Sequence, residues 1–261
     1  MQNEVNAVGK IIAITNQKGG VGKTTTSVNV SACLANMGKK VLLVDLDSQG
    51  NASSGIGVNK DELEYCIYNV LIETYDIEKI IQHTMLERLD IAPATIQLAG
   101  AEVDMVPIVS RETILKQSLQ SIRDTYDFII IDCPPSLGLL TLNALTAADS
   151  VLIPIQCEFY ALEGVSQLIK TIQIVQQTSN PSLEIEGVLL TMFDGRTNLS
   201  IQVAEEVKRF FKHHVYTTII PRNVRLSEAP SYGEPIIIYD PKSKGAEVYM
   251  NLAEEVLGDA Y

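Results

Sequence analysis

The sequence predicts a single α/β domain with a doubly wound, mostly parallel sheet flanked by helices. Short apolar runs rich in β-branched residues alternate with longer stretches whose apolar residues recur every three or four positions. The runs at 41–45, 128–132 and 150–155 are almost continuously apolar, which is typical of parallel strands covered by helices on both faces. Ligands bind at the carboxyl ends of such strands, so polar clusters there are the first candidates for a functional site.

Each element follows from its local pattern. The predicted strands are residues 11–15, 41–45, 89–92, 128–132, 150–155, 185–192, 216–220 and, as a further candidate, 235–239. The predicted helices are residues 24–37, 111–125, 163–177, 201–211 and 246–257. Residues 59–89 are expected to form a helical excursion that is too short for a second domain. We therefore expect one domain, residues 10–261, after a short N-terminal extension, residues 1–9.

The composition excludes several classes of protein. The chain has 261 residues, of which 46% are hydrophobic and 20% are charged, as in folded rather than disordered proteins. Its apolar runs are far shorter than the roughly 20 residues of a membrane span, and residues 1–9 lack the apolar core of a secretory signal. A cytoplasmic location is therefore expected. The cysteines form no C-x-x-C pair and are predicted to be small buried hydrophobes, although a dimer could bring together two copies of one cysteine: Cys33, Cys66, Cys133 and Cys157.

The segment QKGGVGKTT at 17–25 follows a predicted strand and precedes a predicted helix, which is the context of a phosphate-binding loop. Its glycines allow main-chain N–H groups to converge on phosphate oxygens, and the helix directs its positive end at the anion. A glycine-rich turn before a helix is the alternative, and the Lys-Thr-Thr ending argues against it. Lys23 would contact the outer phosphates, Thr24 would ligate Mg²⁺ and Thr25 would contact the α-phosphate of ATP. The predicted nucleotide-binding residues of this loop are Gly19, Gly20, Val21, Gly22, Lys23, Thr24 and Thr25.

The loop departs from the general pattern G-x-x-x-x-G-K-[ST], because Gln17 stands in place of the first glycine and a second lysine, Lys18, follows it. The form K-G-G-x-G-K-T resembles the deviant Walker A loop of the ParA, Soj and MinD partition and positioning ATPases, a family that includes the nitrogenase iron protein. This resemblance implies that Lys18 reaches across an ATP-sandwiched homodimer to the nucleotide of the other subunit.

Two aspartates, Asp45 and Asp47, lie at the end of the predicted strand 41–45, in the segment DLDSQGN at 45–51. Two acids beside a triphosphate would repel it unless a metal ion or a water proton lay between them, which favours a catalytic role over helix capping. The segment resembles D-x-D-P-Q-x-N of the ParA family, with Ser48 in place of proline. The resemblance assigns Asp47 to the attacking water and Asp45 to the magnesium and loop network. The predicted catalytic residues are Lys18, Lys23 and Asp47.

A further acid, Asp132, ends the apolar strand at 128–132 and precedes Cys-Pro-Pro. A strand-ending aspartate can be a helix cap, but beside a phosphate loop this pattern predicts a Walker B carboxylate that holds Mg²⁺. The family motif D-x-P-P is matched. The predicted metal-binding residues are Thr24, Asp45 and Asp132.

The segments 190–198 and 220–233 are candidates for base recognition. The second reads IPRNVRLSEAPSYG and resembles I-P-R-x-x-x-x-x-E-A-P-x-x-G of the chromosomal ParA proteins of the Soj branch. The resemblance implies that Met192, Pro221, Arg222 and Asn223 surround the adenine. A merely structural loop is the alternative.

The charge distribution bears on nucleic-acid binding. The net charge is −12, but residues 196–244 hold eight Lys or Arg against five Asp or Glu, a net +3, so that the rest of the chain carries −15. One basic region on an acidic protein suits binding to a phosphate backbone, although ordinary solvated helix faces would give the same count. The resemblance implies that Arg196 and Arg225 bind double-stranded DNA without sequence specificity.

Together these features predict a slow, Mg²⁺-dependent ATPase, and the resemblance implies that it acts in chromosome or plasmid partition. By resemblance it would dimerise on ATP, associate with the nucleoid and be released when a ParB/Spo0J-type centromere-binding protein stimulates hydrolysis. The alternative is a MinD-like ATPase that associates with membranes. That class ends in a basic amphipathic helix, whereas this chain ends in the acidic sequence AEEVLGDAY, so no membrane partner is expected. A nitrogenase-like cluster carrier would need cluster ligands that the cysteine pattern does not provide.

Overall fold

The sheet of this protein has eight strands and is parallel except at one edge. The computed structural model describes residues 9–258 except residue 160, and only the main chain of residue 163. The strands are β1 (Lys10–Ile14), β2 (Val41–Asp45), β3 (Gln82–His83), β4 (Leu89–Ala92), β5 (Phe128–Asp132), β6 (Ser150–Gln156), β7 (Glu184–Phe193) and β8 (Val215–Pro221). Their order is β3-β4-β2-β5-β1-β6-β7-β8, and β3 pairs with β4 in the antiparallel direction.

Helices cover both faces of the sheet. They are α1 (Lys23–Asn36), α2 (Asn51–Gly55), α3 (Ile67–Ile72), α4 (Ala101–Asp104), α5 (Ile114–Gln120), α6 (Leu139–Ala147), α7 (Ala161–Thr178), α8 (Asn198–Phe211), α9 (Val224–Glu228), α10 (Ile236–Tyr239) and α11 (Lys244–Leu257). One hydrophobic cluster packs α3 to α8 on one face, and a second packs α1 and α11 on the other. Since strand side chains alternate between these clusters, the strands are buried on both sides. The predicted doubly wound α/β fold is confirmed.

The register of the central strands brings the predicted polar clusters together. In the parallel pairs, Asp45 at the end of β2 lies opposite Asp132 at the end of β5, and Ile14 at the end of β1 also lies opposite Asp132. The chain that leaves β1 becomes the glycine-rich loop. The loop and the carboxylates of two strands therefore meet at one edge of the sheet, where ligands of such folds bind.

The structure corrects three predictions about elements and contains helices that the sequence pattern did not indicate. Residues 236–239 form the short helix α10 instead of a strand, and the main-chain N–H of Ile236 donates to Asn29 instead of to a neighbouring strand. The predicted helix 111–125 is broken into a 3₁₀ turn, α5 and a second 3₁₀ turn. The excursion 59–89 contains only short helical segments and β3, and the helix α6 was not predicted. The predicted extension 1–9, apart from Gly9, and the acidic C-terminal residues 259–261 lie outside the described residues.

Candidate functional site

The glycine-rich loop adopts a conformation that its sequence makes possible. Gly20 has φ 74° and Gly22 has φ 90°, and Gly22 immediately precedes α1. No atom lies within 4 Å of the position that a Cβ of Gly20 would take. Glycine is thus required at Gly20 for its backbone angle, because the left-handed region is costly for other residues, and not for lack of space.

Two side chains outside the glycine motif brace this loop. The Nδ2 of Asn16 donates to the carbonyl of Pro154 (2.7 Å), and its Oδ1 accepts from the N–H of Lys18 (3.0 Å). The Oγ1 of Thr191, at the end of β7, donates to the carbonyl of Val21 (2.8 Å). The loop is therefore held by β6 and β7 as well as by its own strand and helix, and a preorganised loop loses less entropy when it binds an anion. Sequence patterns did not identify Asn16 or Thr191, because their partners are remote in the chain.

Lys23 is buried at the start of α1, and its Nζ donates to the carbonyl of Lys18 (3.2 Å). Burial lowers the pKa of this ammonium, and the negative charge of Asp132 opposes that effect. An ammonium that donates to a single main-chain carbonyl among the described residues has remaining donor capacity for phosphate oxygens. This geometry fits the predicted role of Lys23.

Asp132 is fully buried and only one of its carboxylate oxygens is satisfied. Its Oδ1 accepts from Ser27 Oγ (2.8 Å), whereas its Oδ2 has no hydrogen-bond partner among the described residues. Burial, and next the charge of Asp45, raise the pKa of Asp132 to about 7, while the hydroxyls of Thr24 and Ser27 act in the opposite direction. A buried carboxylate oxygen without a donor costs about 1–3 kcal/mol.

Asp45 is also fully buried, but both of its oxygens are occupied. Its Oδ2 accepts from the N–H and the hydroxyl of Ser53 (2.8 Å each), and its Oδ1 accepts from the N–H of Asp47 (3.1 Å). Burial raises the pKa of Asp45 to about 6. Asp45 thus anchors α2 and the turn that carries Asp47, as expected for the loop network. Its predicted contact with the metal stays a prediction.

These groups fit a magnesium ion. Mg²⁺ prefers oxygen ligands, and the unsatisfied Oδ2 of Asp132 is such an oxygen in a region of negative charge. Thr24 lies on the wall of the adjoining cavity, and its hydroxyl lowers the pKa of Asp132. A cation here would reverse the mutual repulsion of the two aspartates.

Asp47 lies beyond the end of β2 on a turn that is held by hydrogen bonds within the turn and from Lys60. Its Oδ1 accepts from the N–H of Gln49 (3.0 Å), and its carbonyl accepts from the N–H of Gly50 (2.8 Å). The Nζ of Lys60 donates to the carbonyls of Gln49 (2.8 Å) and Gly50 (3.3 Å). Lys60, which the sequence did not single out, therefore holds the turn that presents Asp47 to the phosphate loop.

Two cavities adjoin at this edge of the sheet. A cavity of about 360 Å³ is lined by the phosphate loop together with Asp47 and Pro135, and one of about 510 Å³ is lined by β7 and the segment after β8. Met192 lines both, with φ 50°. A non-glycine residue in this region is strained, and such strain is often located where a ligand binds. The larger cavity is also lined by Pro221, Arg222 and Asn223, the residues predicted to surround a base.

The larger cavity is lined by polar side chains after β8 and by a tyrosine of α11. Arg222 forms an ion pair with Glu158, which follows β6, and Asn223 accepts from the N–H of Arg225 at the start of α9. Tyr249 of α11 is fully buried, and its hydroxyl lies 3.2 Å from Thr26 Oγ1 of α1. The C-terminal helix is therefore joined to the helix that follows the phosphate loop.

The two arginines predicted to bind DNA lie on the surface in ion pairs. The side chain of Arg196 is 90% exposed and pairs with Asp194 (2.7 Å). The side chain of Arg225 is 55% exposed and pairs with Glu228 (2.9 Å) and Asp240 (3.4 Å). Exposed pairs of this kind contribute little to stability and exchange readily with other anions. Both guanidinium groups are accessible, and their contact with DNA stays a prediction.

Comparison with known proteins agrees with this site. A family model described as an AAA domain matches residues 9–185. The chain is 66% identical over 249 residues to the sporulation initiation inhibitor protein Soj of Bacillus subtilis, covering 95% of this chain and 98% of that one. It is 56% identical over 250 residues to the chromosome partitioning protein ParA of Myxococcus xanthus, covering 96% of this chain and 88% of that one. The chain belongs to the ParA/Soj family.

Solved structures show the same fold. A cobyrinic acid a,c-diamide synthase from Mycobacterium smegmatis, with bound ATP analog and magnesium, is 40% identical and superposes with a TM-score of 0.85, over 96% of this ParA/Soj-family chain and 95% of that one. The cell division ATPase MinD of Pyrococcus furiosus is 29% identical with a TM-score of 0.78, over 97% of this chain and 100% of that one. Proteins of this fold thus bind nucleotide and magnesium.

Two further features of the ParA/Soj-family chain concern its helices and its cysteines. No helix within the described residues is long and apolar enough to cross a membrane. All four cysteines are buried, as expected of small hydrophobes. Burial raises the pKa of Cys33 to about 12 and that of Cys157 to about 11. Thiols with such values are poor nucleophiles near neutral pH.

Proposed function

We propose that this chain is a Mg²⁺-dependent ATPase that acts in chromosome partition, and that residues 10–261 form its ATPase domain after the extension 1–9. The observation that carries this proposal is that Lys23 and Thr24, which line the phosphate-loop cavity, both counteract the rise in pKa that burial causes at Asp132, whose Oδ2 is unsatisfied among the described residues. The phosphate-loop cavity adjoins the larger cavity of about 510 Å³. The identity to Soj and ParA supports the role in partition.

The proposed reaction is transfer of the γ-phosphoryl group of ATP to water. The main-chain N–H groups of residues 19–24 and the ammonium of Lys23 bind the phosphates, and Asp132 and Thr24 hold the metal. Bound Mg²⁺ would neutralise charge that develops on the phosphate oxygens. Asp47 orients the attacking water, and Met192, Pro221, Arg222 and Asn223 surround the adenine. Positioning and charge neutralisation account for the rate, so no covalent intermediate is needed.

Lys18 is proposed to act between two subunits. Its N–H is used by Asn16, but no hydrogen bond of its Nζ exists within the described residues. The side chain is half-buried at the rim of the loop, where a second copy that approached the nucleotide would meet it. We infer an ATP-dependent homodimer in which each Lys18 contacts the phosphates bound by the other subunit, which makes dimerisation depend on ATP.

DNA binding is proposed to follow from dimerisation. Arg196 and Arg225 are exposed in a region with net positive charge, and two subunits would present a doubled set of guanidinium groups to the phosphate backbone. Such contacts do not depend on the base sequence, so the dimer would bind anywhere along the DNA of the nucleoid. A ParB/Spo0J-type centromere-binding protein is the proposed stimulator of hydrolysis and release.

The alternative function is that of a MinD-like positioning ATPase at a membrane, and the cell division ATPase MinD of Pyrococcus furiosus has a similar structure. An amphipathic helix binds a bilayer through an exposed apolar face. In α11 the apolar residues Val248, Tyr249, Leu252, Ala253 and Val256 are already buried in the core. The helix is therefore not available as a membrane anchor, and this packing supports the partition function.

A DNA-binding titration with and without ATP, repeated over a series of salt concentrations, tests the proposal. We expect binding to random-sequence duplex with ATP only, and a steep loss of affinity as salt increases, because phosphate contacts release counterions. Anionic lipid vesicles are the matched probe for the MinD-like alternative. ATP-dependent binding to vesicles, with no binding to duplex, would contradict the partition proposal.

A further inference from the structure

The segment between β4 and β5 exposes four large aliphatic side chains. The exposed fractions are 70% for Ile96, 73% for Val103, 57% for Val106 and 90% for Val109. They lie on the 3₁₀ turn 96–100, on α4 and in the loop that follows, and the N–H of Val106 donates to the carbonyl of Val103. Isolated exposed aliphatic side chains are ordinary, but several within 14 residues indicate a surface that is covered in a complex. We call these four residues the 96–109 surface.

A carboxylate on this segment lacks a partner. Glu102, next to Val103 on α4, lies so close to Gly138 that a Cβ on that glycine would require the carboxylate to move. Its Oε1 is buried and accepts no hydrogen bond from any described residue. An unsatisfied buried acceptor is unfavourable, so binding of a cationic donor at this position would be favourable.

The position of Glu102 connects the surface to the hydrolytic centre. Gly138 immediately precedes α6 and ends the loop that begins after Asp132. Pro135, within the same loop, lines the phosphate cavity. Since Glu102 lies against one end of this short loop and Asp132 against the other, a ligand that moved Glu102 would alter the path of the chain beside the metal-binding carboxylate.

The charge of residues 96–113 indicates which kind of molecule binds to the 96–109 surface. Within residues 96–113 the charged side chains are Glu102, Asp104, Arg111 and Glu112, a net charge of −2, and Arg111 donates to the carbonyl of Val106. DNA and anionic lipid would be repelled. In a twofold contact between two copies, the surface would face itself and acids would approach acids. A polypeptide with aliphatic side chains and one lysine or arginine would cover the apolar residues and would also form an ion pair with Glu102.

We propose that the 96–109 surface is the docking site for a basic, aliphatic segment of the partner protein that stimulates hydrolysis. A cationic side chain of this segment pairs with Glu102, and the aliphatic side chains pack on Val103 and Val106. Docking shifts Glu102 against Gly138 and so acts on the loop that bears Asp132 and Pro135. This inference rests on the proposed ATPase function. It adds the location of the stimulating contact, which the proposed function does not specify.

The test measures ATP turnover with increasing amounts of the full-length ParB-type protein from the same organism. The double variant Val103→Asp, Val106→Asp should keep its basal turnover and ATP-dependent dimerisation, while the partner concentration for half-maximal stimulation rises by about tenfold or more. Glu102→Gln keeps the shape of the side chain and removes its charge. It should weaken stimulation less and reduce the dependence of stimulation on salt.

Ile174→Asp is the matched control, because Ile174 is 57% exposed on α7, far along the chain from this surface. Normal stimulation of the double variant would overturn the proposal, as would an equal loss in the control. Loss of ATP-dependent dimerisation in the double variant would show a contact between copies and would also overturn it. If the unmodified protein hydrolyses ATP but is not stimulated, the proposed partner is wrong, whereas no hydrolysis at all would contradict the proposed function itself.

Discussion

Ser27 Oγ donates to Oδ1 of Asp132 over 2.8 Å, whereas Oδ2 of the same carboxylate has no partner in the described part of the chain. Ser27 lies on α1, one turn after Lys23, so the helix that begins at the phosphate loop also orients the Walker B carboxylate. We predict that Ser27→Ala lowers the free energy of unfolding by about 1–2 kcal/mol and raises the Mg²⁺ concentration needed for half-maximal turnover. Urea denaturation and a magnesium titration measure these effects.

Ser31→Ala is the matched control for this variant. Ser31 is buried one turn further along α1, but its hydroxyl has no described partner. Removing it should leave both quantities unchanged or slightly increase stability. Equal effects of the two substitutions would show that the Ser27–Asp132 bond has no special part in the metal site.

Lys23→Gln should weaken ATP binding by about 10- to 100-fold, because it replaces a charged donor to the outer phosphates by a neutral one of similar size. Calorimetric titration with a non-hydrolysable ATP analog measures the affinity. Affinity for adenosine alone should change little, since Lys23 does not line the larger cavity. An ATP affinity within twofold of the unmodified value would exclude Lys23 from the phosphate site.

Asp47→Ala should retain ATP binding and reduce turnover by about a hundredfold, because water would no longer be positioned for attack. The ATP-bound dimer should accumulate and be visible by light scattering. Asp61→Ala, on an exposed turn nearby, is the control and should hydrolyse ATP normally. A variant that stays monomeric with bound ATP would contradict this role.

Arg225→Glu should abolish ATP-dependent binding to duplex DNA and leave basal ATP turnover within twofold, because the guanidinium is exposed and outside both cavities. Arg196→Glu should behave in the same way. Lys116→Glu makes an identical change of charge at an exposed position on α5 and should bind DNA normally. If DNA binding and turnover fell together, Arg225 would belong to the nucleotide site.

Stability without metal should decrease as pH rises from about 4 to 7. Burial raises the pKa of Asp45 to about 6, and burial together with the charge of Asp45 raises the pKa of Asp132 to about 7, from an ordinary value of 3.8. The folded chain therefore binds more protons than the unfolded chain between these limits, and the stabilisation is lost as pH rises through the folded values. Added Mg²⁺ and ATP should stabilise more at pH 8 than at pH 6, because the metal competes with the proton.

Thermal denaturation at several pH values, with and without Mg²⁺ and ATP, provides the measurement. Asp132→Asn cannot release this proton and should lose most of the dependence between pH 6 and 8. An unmodified protein whose stability without metal rises over that range would contradict the assignment.

The sequence predicts local features better than long-range ones. Seven of the eight strands are correctly placed, because continuous apolar runs bounded by turns are a strong signal. The phosphate loop and Asp132 were also predictable, since their residues are contiguous and their chemistry is specific. The β-branched run at 236–239 was misassigned because short apolar runs do not distinguish strand from helix, and its N–H is bonded to Asn29, more than 200 positions earlier.

The supporting residues were not predictable in this way. Asn16, Thr191, Lys60 and Ser27 are ordinary polar residues in the sequence, and each contributes through a partner that only the folded chain brings within reach. The ion pairs of Arg196 and Arg225 likewise depend on side-chain geometry. Motifs therefore identified the reacting groups, and the structure was needed to show what holds them.

The contact between Tyr249 and Thr26 has a consequence for synthesis of the chain. The phosphate loop precedes α11, the helix that completes the larger cavity, by more than 200 residues. A nascent chain therefore carries its phosphate motif long before it has a whole nucleotide site. Binding competence should appear only after α11 has left the ribosomal exit tunnel, so products truncated before α11 would not compete for ATP.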